Sequence, residues 1–175
     1  MSGESRLNSL QRRILSDLIR IEGDWRRLVR DLGRPFDLGP PEGGWSPAER
    51  LLHVILSLED TADHFQRALP GDPEPPGFRE RAGRLFVLTT FRLPPRLETP
   101  DAWQPGLILP AAALMARLHE AKEAFLPLLG RVGGSQPAVF RHHVSLGSMN
   151  LADWVRYLLV HSLHHSAALR EPKSK

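Results

Sequence analysis

The sequence predicts an all-α protein: a four-helix bundle with a long Pro-rich crossover between its second and third helices. Three observations carry this. Apolar residues recur at three- and four-residue steps in several long segments. Helix-capping signals stand at the starts of the second and fourth segments. Proline and glycine cluster between the segments, and the one stretch with strand-like composition has no partner strand.

The first helix is predicted from about Leu7 to Leu32. Leu10, Ile14, Leu18, Ile21, Trp25 and Leu28 form one apolar stripe. Gly33 suits a C-terminal cap, and Pro35 stands where the helix cannot continue. Residues 33–44 read as a loop. Ser46 then caps the second helix, Pro47 fits its first position and Glu49 completes a capping box. That helix runs to about Leu69, and the Pro-rich segment 70–77 breaks it.

Residues 78–92 open like a helix, while Leu85 to Phe91 have strand composition; without a partner strand, a short helix is predicted. Leu93 to Pro105 carry four prolines and read as an extended crossover. The third long helix spans about Pro110 to Leu129, with Pro127 kinking or fraying its end. Residues 130–149 read as a loop. Asn150 caps the fourth helix, with Asp153 three residues on, and the helix continues to about Arg170. Residues 171–175 are a flexible tail.

The chain has 175 residues, 41% hydrophobic and 25% charged, which suits a single domain over 1–170 with a sizeable core. This composition excludes a disordered chain. No uncharged apolar run of about 18 residues exists, so no transmembrane helix is expected. Met1 to Arg13 are polar and charged, unlike a signal peptide. There is no cysteine, which rules out disulfides, a cysteine nucleophile and cysteine-ligated zinc. A cytoplasmic location is the default for such a chain. The net charge is +3, but the basic residues are dispersed among acidic ones, so nucleic-acid binding is not expected.

Eight histidines occur, at positions 53, 64, 119, 142, 143, 161, 164 and 165. His161 and His165 are one helical turn apart and project from one face, the spacing at which two imidazoles can chelate a divalent metal. Trp154 and Ala168 lie about 20° from His161 around the helix, so the pair faces the interior. Two readings stay open: a metal site, or two core histidines bonded to polar neighbours. His53 falls opposite the apolar arc of Leu51, Ile55, Leu58, Ala62 and Phe65, where periodicity predicts a rim or solvated position. Glu49, one turn before it, is a candidate to orient its ring, with the capping box as its other role. His64 and His119 read as surface residues, and His142 and His143 as loop residues that either line the rim of a pocket or play no part.

Three stretches together resemble the DinB/YfiT-like superfamily. They are Trp45-Ser46-Pro47-Ala48-Glu49-Arg50-Leu51-Leu52-His53, the run from Phe140 through Gly147 and Asn150 to Trp154, and His161-Ser162-Leu163-His164-His165. The family pattern is a W-(S/T)-x-x-E-x-x-x-H helix start, a loop glycine, a capped helix carrying Trp, and HxxxH. The resemblance covers about Trp45 to Leu169. It implies an up-down-down-up bundle, often dimeric, that holds a divalent metal, nickel or zinc, with three histidines. Carried onto this sequence they are His53, His161 and His165. The chain departs from the pattern where Val144 replaces a frequent Pro, and where Ala167-Ala168-Leu169 stand in place of a frequent Gln.

Three imidazoles leave a metal with open positions, as in catalytic sites. Characterised relatives include thiol-dependent transferases and isomerases that use bacillithiol or mycothiol. The resemblance thus implies a metal-dependent low-molecular-weight thiol S-transferase acting on a small-molecule substrate. The alternatives are a metal-dependent hydrolase and a non-catalytic, stress-linked metal-binding bundle.

Overall fold

A computed structural model describes residues 7–32, 35–39, 44–69, 75, 77–90, 93, 100–106, 109–132, 139–143 and 145–170. These form a mostly helical structure with one small hairpin. In chain order come α1 (Ser9–Asp31), α2 (Pro47–Arg67), α3 (Phe78–Thr90), a 3-10 turn (Asp101–Trp103), α4 (Ala111–Glu123) and α5 (Leu126–Leu129). The strands β1 (Phe140–His143) and β2 (Gly147–Asn150) follow, and then α6 (Leu151–Arg170). No described helix is long and apolar enough to cross a membrane. The expectations for Gly33 and for the tail 171–175 lie outside the described residues.

The starts of α1, α2 and α6 have a local cause. Asn8 accepts from the Gln11 N–H while Gln11 accepts from the Asn8 N–H, a capping box at α1. The same two side chains donate onward, Asn8 to the Val132 carbonyl and Gln11 to the Leu129 carbonyl, so they also satisfy the end of α5. Ser46 and Glu49 form the reciprocal box at α2. Asn150 Oδ1 accepts from the Asp153 N–H at 3.0 Å and caps α6.

Two expectations need correction. The segment 130–149 is not all loop. Phe140–His143 pair antiparallel with Gly147–Asn150, in the register Phe140 to Asn150 and His143 to Gly147. Gly147 has a φ of 71°, a conformation that favours glycine and lets the chain reverse there. Trp154 holds the hairpin to α6 by donating its indole N–H to the Arg141 carbonyl at 2.9 Å. The predicted third helix is also two pieces. The chain turns at Ala124 and Phe125, and Pro127 sits in the first turn of α5, where its missing N–H costs nothing. The ambiguous segment is the helix α3, as expected from the lack of a partner strand.

α1 packs on α4 and α6, α2 packs on the same two helices, and α3 lies against α6 and β2. The core between them is built on Trp25, Leu51, Ile55, Leu118, Phe125 and Trp154, all nearly or fully buried. One buried polar contact crosses it: Trp25 donates its indole N–H to Ser162 Oγ at 2.9 Å. Neither group has access to water, so removing one strands the other. Trp25→Phe is therefore expected to cost about 1–3 kcal/mol beyond any packing loss. Urea denaturation of Trp25→Phe, Ser162→Ala and the double variant checks this. The double variant should cost clearly less than the sum, and strict additivity would show that the bond contributes nothing.

Candidate metal centre

α2 supplies one ring and α6 two. His161 and His165 are successive turns of α6, and His53 reaches them from α2. The closest atoms are the Nε2 nitrogens: His53 to His161 at 2.8 Å, and His165 to His161 at 3.1 Å. One ligand nitrogen from each of the three residues lies within 4.8 Å of the other two, so the group could hold a metal ion.

His53 is not at the rim. It is 1% exposed. Periodicity misplaces it because α2 is buried nearly all round at this level: Leu51, Leu52, Val54, Ile55, Ser57 and Leu58 are buried too. The side opposite the main apolar arc is covered by the 3-10 turn and α6.

The outer nitrogen of His53 settles its tautomer. Nδ1 lies 2.7 Å from the Trp103 carbonyl oxygen, which can only accept, so Nδ1 carries the proton and Nε2 presents its lone pair to the cluster. Glu49 does not make this bond; its carboxylate accepts from the Ser46 N–H. The Nδ1 atoms of His161 and His165 are buried with no hydrogen-bond partner among the described residues. Aromatic packing holds those rings instead. Tyr157 stacks on His161 at 5.8 Å, and Trp45 lies 4.8 Å from His53 and 6.2 Å from His165.

The donor set suits a cation. His53 Nε2 can only accept, and His161 Nε2 stands in both close contacts. One proton shared among three nitrogens satisfies them poorly, whereas a divalent cation accepts all three lone pairs. Burial pushes the rings toward that state. It is the largest cause holding His161 well below the usual imidazole range, with the neighbouring histidines adding to it. Burial, with His53, His164 and Arg50, takes His165 down to about 3. Burial also lowers His53, against the raising effect of the Trp103 carbonyl. Neutral imidazole is the form that binds metal.

The remaining histidines stand apart. His143 is buried in β1; its Nδ1 accepts from the Ser145 N–H at 3.1 Å, and its ring packs edge-on against Tyr157 at 4.8 Å. Burial lowers it to about 4. It thus lies behind the cluster with Tyr157 between, not in an open loop. His164 is exposed, with its ring edge-on to His165. His142 is exposed on β1, His119 sits beside Glu22, and half-buried His64 faces the Phe140 carbonyl.

Sequence reasoning missed Trp103, Tyr157 and His143. Tyr157 had a signal, since it precedes His161 by one turn on the same face. Trp103 had none: it stands 50 residues from His53 in an irregular segment.

A family model for the DinB superfamily matches residues 10–169. The chain belongs to the DinB superfamily. Comparison with curated proteins and with solved structures gives no match. The DinB span takes in α1, α2 and nearly all of α6, and so all three clustered histidines.

The lowered rings give this DinB-superfamily chain a definite pH dependence. In the unfolded chain each imidazole titrates near 6.5, and in the fold these three titrate lower. As pH falls below about 6.5 the unfolded chain takes up protons that the fold refuses, so stability falls with pH. The metal-free protein should lose stability steadily from pH 7 to 4, by up to about 1.4 kcal/mol per pH unit per histidine. Urea denaturation in chelator across that range measures it. His161→Asn should show a shallower slope; equal slopes would mean that His161 is not held neutral.

Proposed function

We propose that this chain is a metal-dependent enzyme that transfers a low-molecular-weight thiol, with a nickel or zinc ion held by His53, His161 and His165. The observation that carries the reading is the meeting of three Nε2 atoms from two helices at one buried point, with His53 and His161 108 residues apart in sequence. Imidazole suits both ions. Three protein ligands are the number typical of catalytic zinc sites, which keep a position for water or substrate. Bound there, a divalent cation would supply Lewis acidity and lower the pKa of a thiol or water.

The chain's own residues do the rest. The Trp103 carbonyl keeps the His53 proton on its outer edge. Trp45 and Tyr157 flank the rings and exclude water from their faces. Because the chain has no cysteine, the thiol comes as a cosubstrate. Thiol transfer is put ahead of hydrolysis on the family resemblance; Glu49, the carboxylate considered for the His53 ring, is engaged in its helix cap. The wider setting of the proposal is one domain over 1–170, an up-down-down-up bundle, working as a cytoplasmic homodimer on a small molecule, without nucleic acid or membrane.

The test joins binding to turnover. Metal should bind the fold and hardly the unfolded chain, because folding alone brings the ligands together. Stabilisation of about 2.7 kcal/mol is expected at a metal concentration 100 times the dissociation constant. The rise in melting temperature should vanish or shrink greatly in His53→Ala, His161→Ala and His165→Ala. It should persist in His119→Ala, which alters an exposed ring outside the cluster. The loaded protein should then consume low-molecular-weight thiols in the presence of an electrophile. Equal metal shifts in all variants would refute the site, and a metal-bound protein with no thiol consumption would refute the transferase.

A further inference from the structure

Trp103 touches α2 at two places. Its backbone carbonyl accepts from His53 Nδ1 at 2.7 Å, and its indole N–H donates to Asp60 Oδ2 at 2.8 Å. His53 and Asp60 are seven residues apart, two turns and about 10 Å along the same side of the helix. The tryptophan therefore lies along α2 like a strut, fixed at one end to the candidate ligand and at the other to a carboxylate. It belongs to a three-residue turn, not a long element, so these two bonds act on its carbonyl together with its burial, its backbone bond to the Pro100 carbonyl and its ring contacts with His53 and His161.

The carboxylate is itself held. Asp60 Oδ2 also accepts from the Arg141 guanidinium of β1. That guanidinium lies 4.9 Å over the Trp154 ring of α6, and the Trp154 indole N–H returns to the Arg141 carbonyl. One oxygen of Asp60 thus joins α2, the 3-10 turn and the hairpin, and the hairpin is tied to the helix that carries His161 and His165.

We propose that Asp60 is a positioning residue of the metal centre: through the Trp103 indole it holds the Trp103 carbonyl on His53 Nδ1, and so keeps Nε2 of that ring turned to His161 and His165. The proposal rests on the metal-site reading for its effect on affinity, but its effect on the His53 tautomer is independent of any metal. Removing Asp60 frees the indole end of the strut. The carbonyl then shifts, the proton of His53 is no longer confined to Nδ1, and the ligand set loosens. Groups that orient ligand histidines in this way change metal affinity by about 10–100-fold when removed. The ion pair to Arg141 is partly exposed and adds little on its own.

The test uses the full-length chain, freed of metal and titrated with Co2+ alone, read by its ligand-field absorption. Asp60→Ala should weaken Co2+ binding by about 10–100-fold. Trp103→Phe, which removes the indole N–H together with part of the ring that packs on His53 and His161, should weaken it at least as much, and the double variant should lose no more than Trp103→Phe alone. Asp60→Asn should stay within about threefold of wild type, because its amide oxygen still accepts from the indole. Arg141→Gln removes a brace on Asp60 but leaves its bond to the indole, so it should weaken Co2+ binding by less than Asp60→Ala does even where it lowers the melting temperature as much, an outcome that a purely stabilising role for Asp60 does not produce. In the metal-free protein, the 15N shifts of the His53 ring should report the Nδ1–H tautomer in wild type and a mixture in Asp60→Ala. Wild-type Co2+ affinity with an unchanged tautomer in Asp60→Ala, or additive losses in the double variant, would overturn the proposal. Should Asp60→Ala fail to fold, Trp103→Phe set against the Asp60→Asn rescue decides. Should the wild-type chain fail to bind Co2+, the metal-site reading falls, and the tautomer measurement alone decides on Asp60.

Discussion

Two imidazole nitrogens stand at hydrogen-bond distance from His161 Nε2, 2.8 Å and 3.1 Å away, and burial holds all three rings below the usual imidazole range. Crowding polar nitrogens in a dry interior is costly unless each finds a partner. Among the described residues the one conventional partner is the Trp103 carbonyl. The outer nitrogens of His161 and His165 have none among those residues, and their rings are steadied by aromatic faces. Such an arrangement makes sense when the inner nitrogens share something that accepts three lone pairs at once. The unsatisfied outer nitrogens are then a local cost offset by the gain at the centre.

The scaffold reflects this demand. α6 carries two of the rings and is pinned to α1 by polar contacts on both sides of them. Arg156 donates to Asp17 at 2.8 Å, Trp25 donates to Ser162 at 2.9 Å, and Ser166 donates to Asp24. Ser162 and Ser166 each follow a clustered histidine directly. A step of one residue turns the helix by about 100°, so each histidine-serine pair aims its ring toward α2 and its hydroxyl toward α1. The contacts that fix the rotation of α6 therefore also fix the aim of His161 and His165. α2 answers with a helix buried almost all round at His53, whose polar edge is closed by Trp103 and, beyond it, Asp60.

Much of this was legible in the sequence, and the parts that were not share a cause. The capping boxes and three-to-four periodicity located the long helices because their signals are local: Ser46 with Glu49, Asn150 with Asp153, and the stripe from Leu10 to Leu28. The His161/His165 spacing put two rings on one interior face for the same reason. Periodicity failed for His53 because it assumes that a helix has one buried side, whereas α2 meets the 3-10 turn and α6 on its second side. The hairpin went unread because four-residue strands such as Phe140-Arg141-His142-His143 are too short to show an alternation, and β1 is held by side chains outside it: Trp154 in the next helix and Asp60, 81 residues away in sequence. Trp103 was unreadable for a similar reason. Its contact with His53 is made by a backbone carbonyl, which leaves no mark in the sequence, and its indole meets Asp60 43 residues away.

The central claim is that the three rings act together as one ligand set, and the X-ray absorption spectrum of the full-length protein loaded with one equivalent of zinc tests it most directly. The account predicts a first shell containing three imidazole nitrogens at about 2.0–2.1 Å, with multiple scattering from three rings that falls to two in His53→Ala. A shell of oxygen atoms, or a ring count unchanged by His53→Ala, would contradict it.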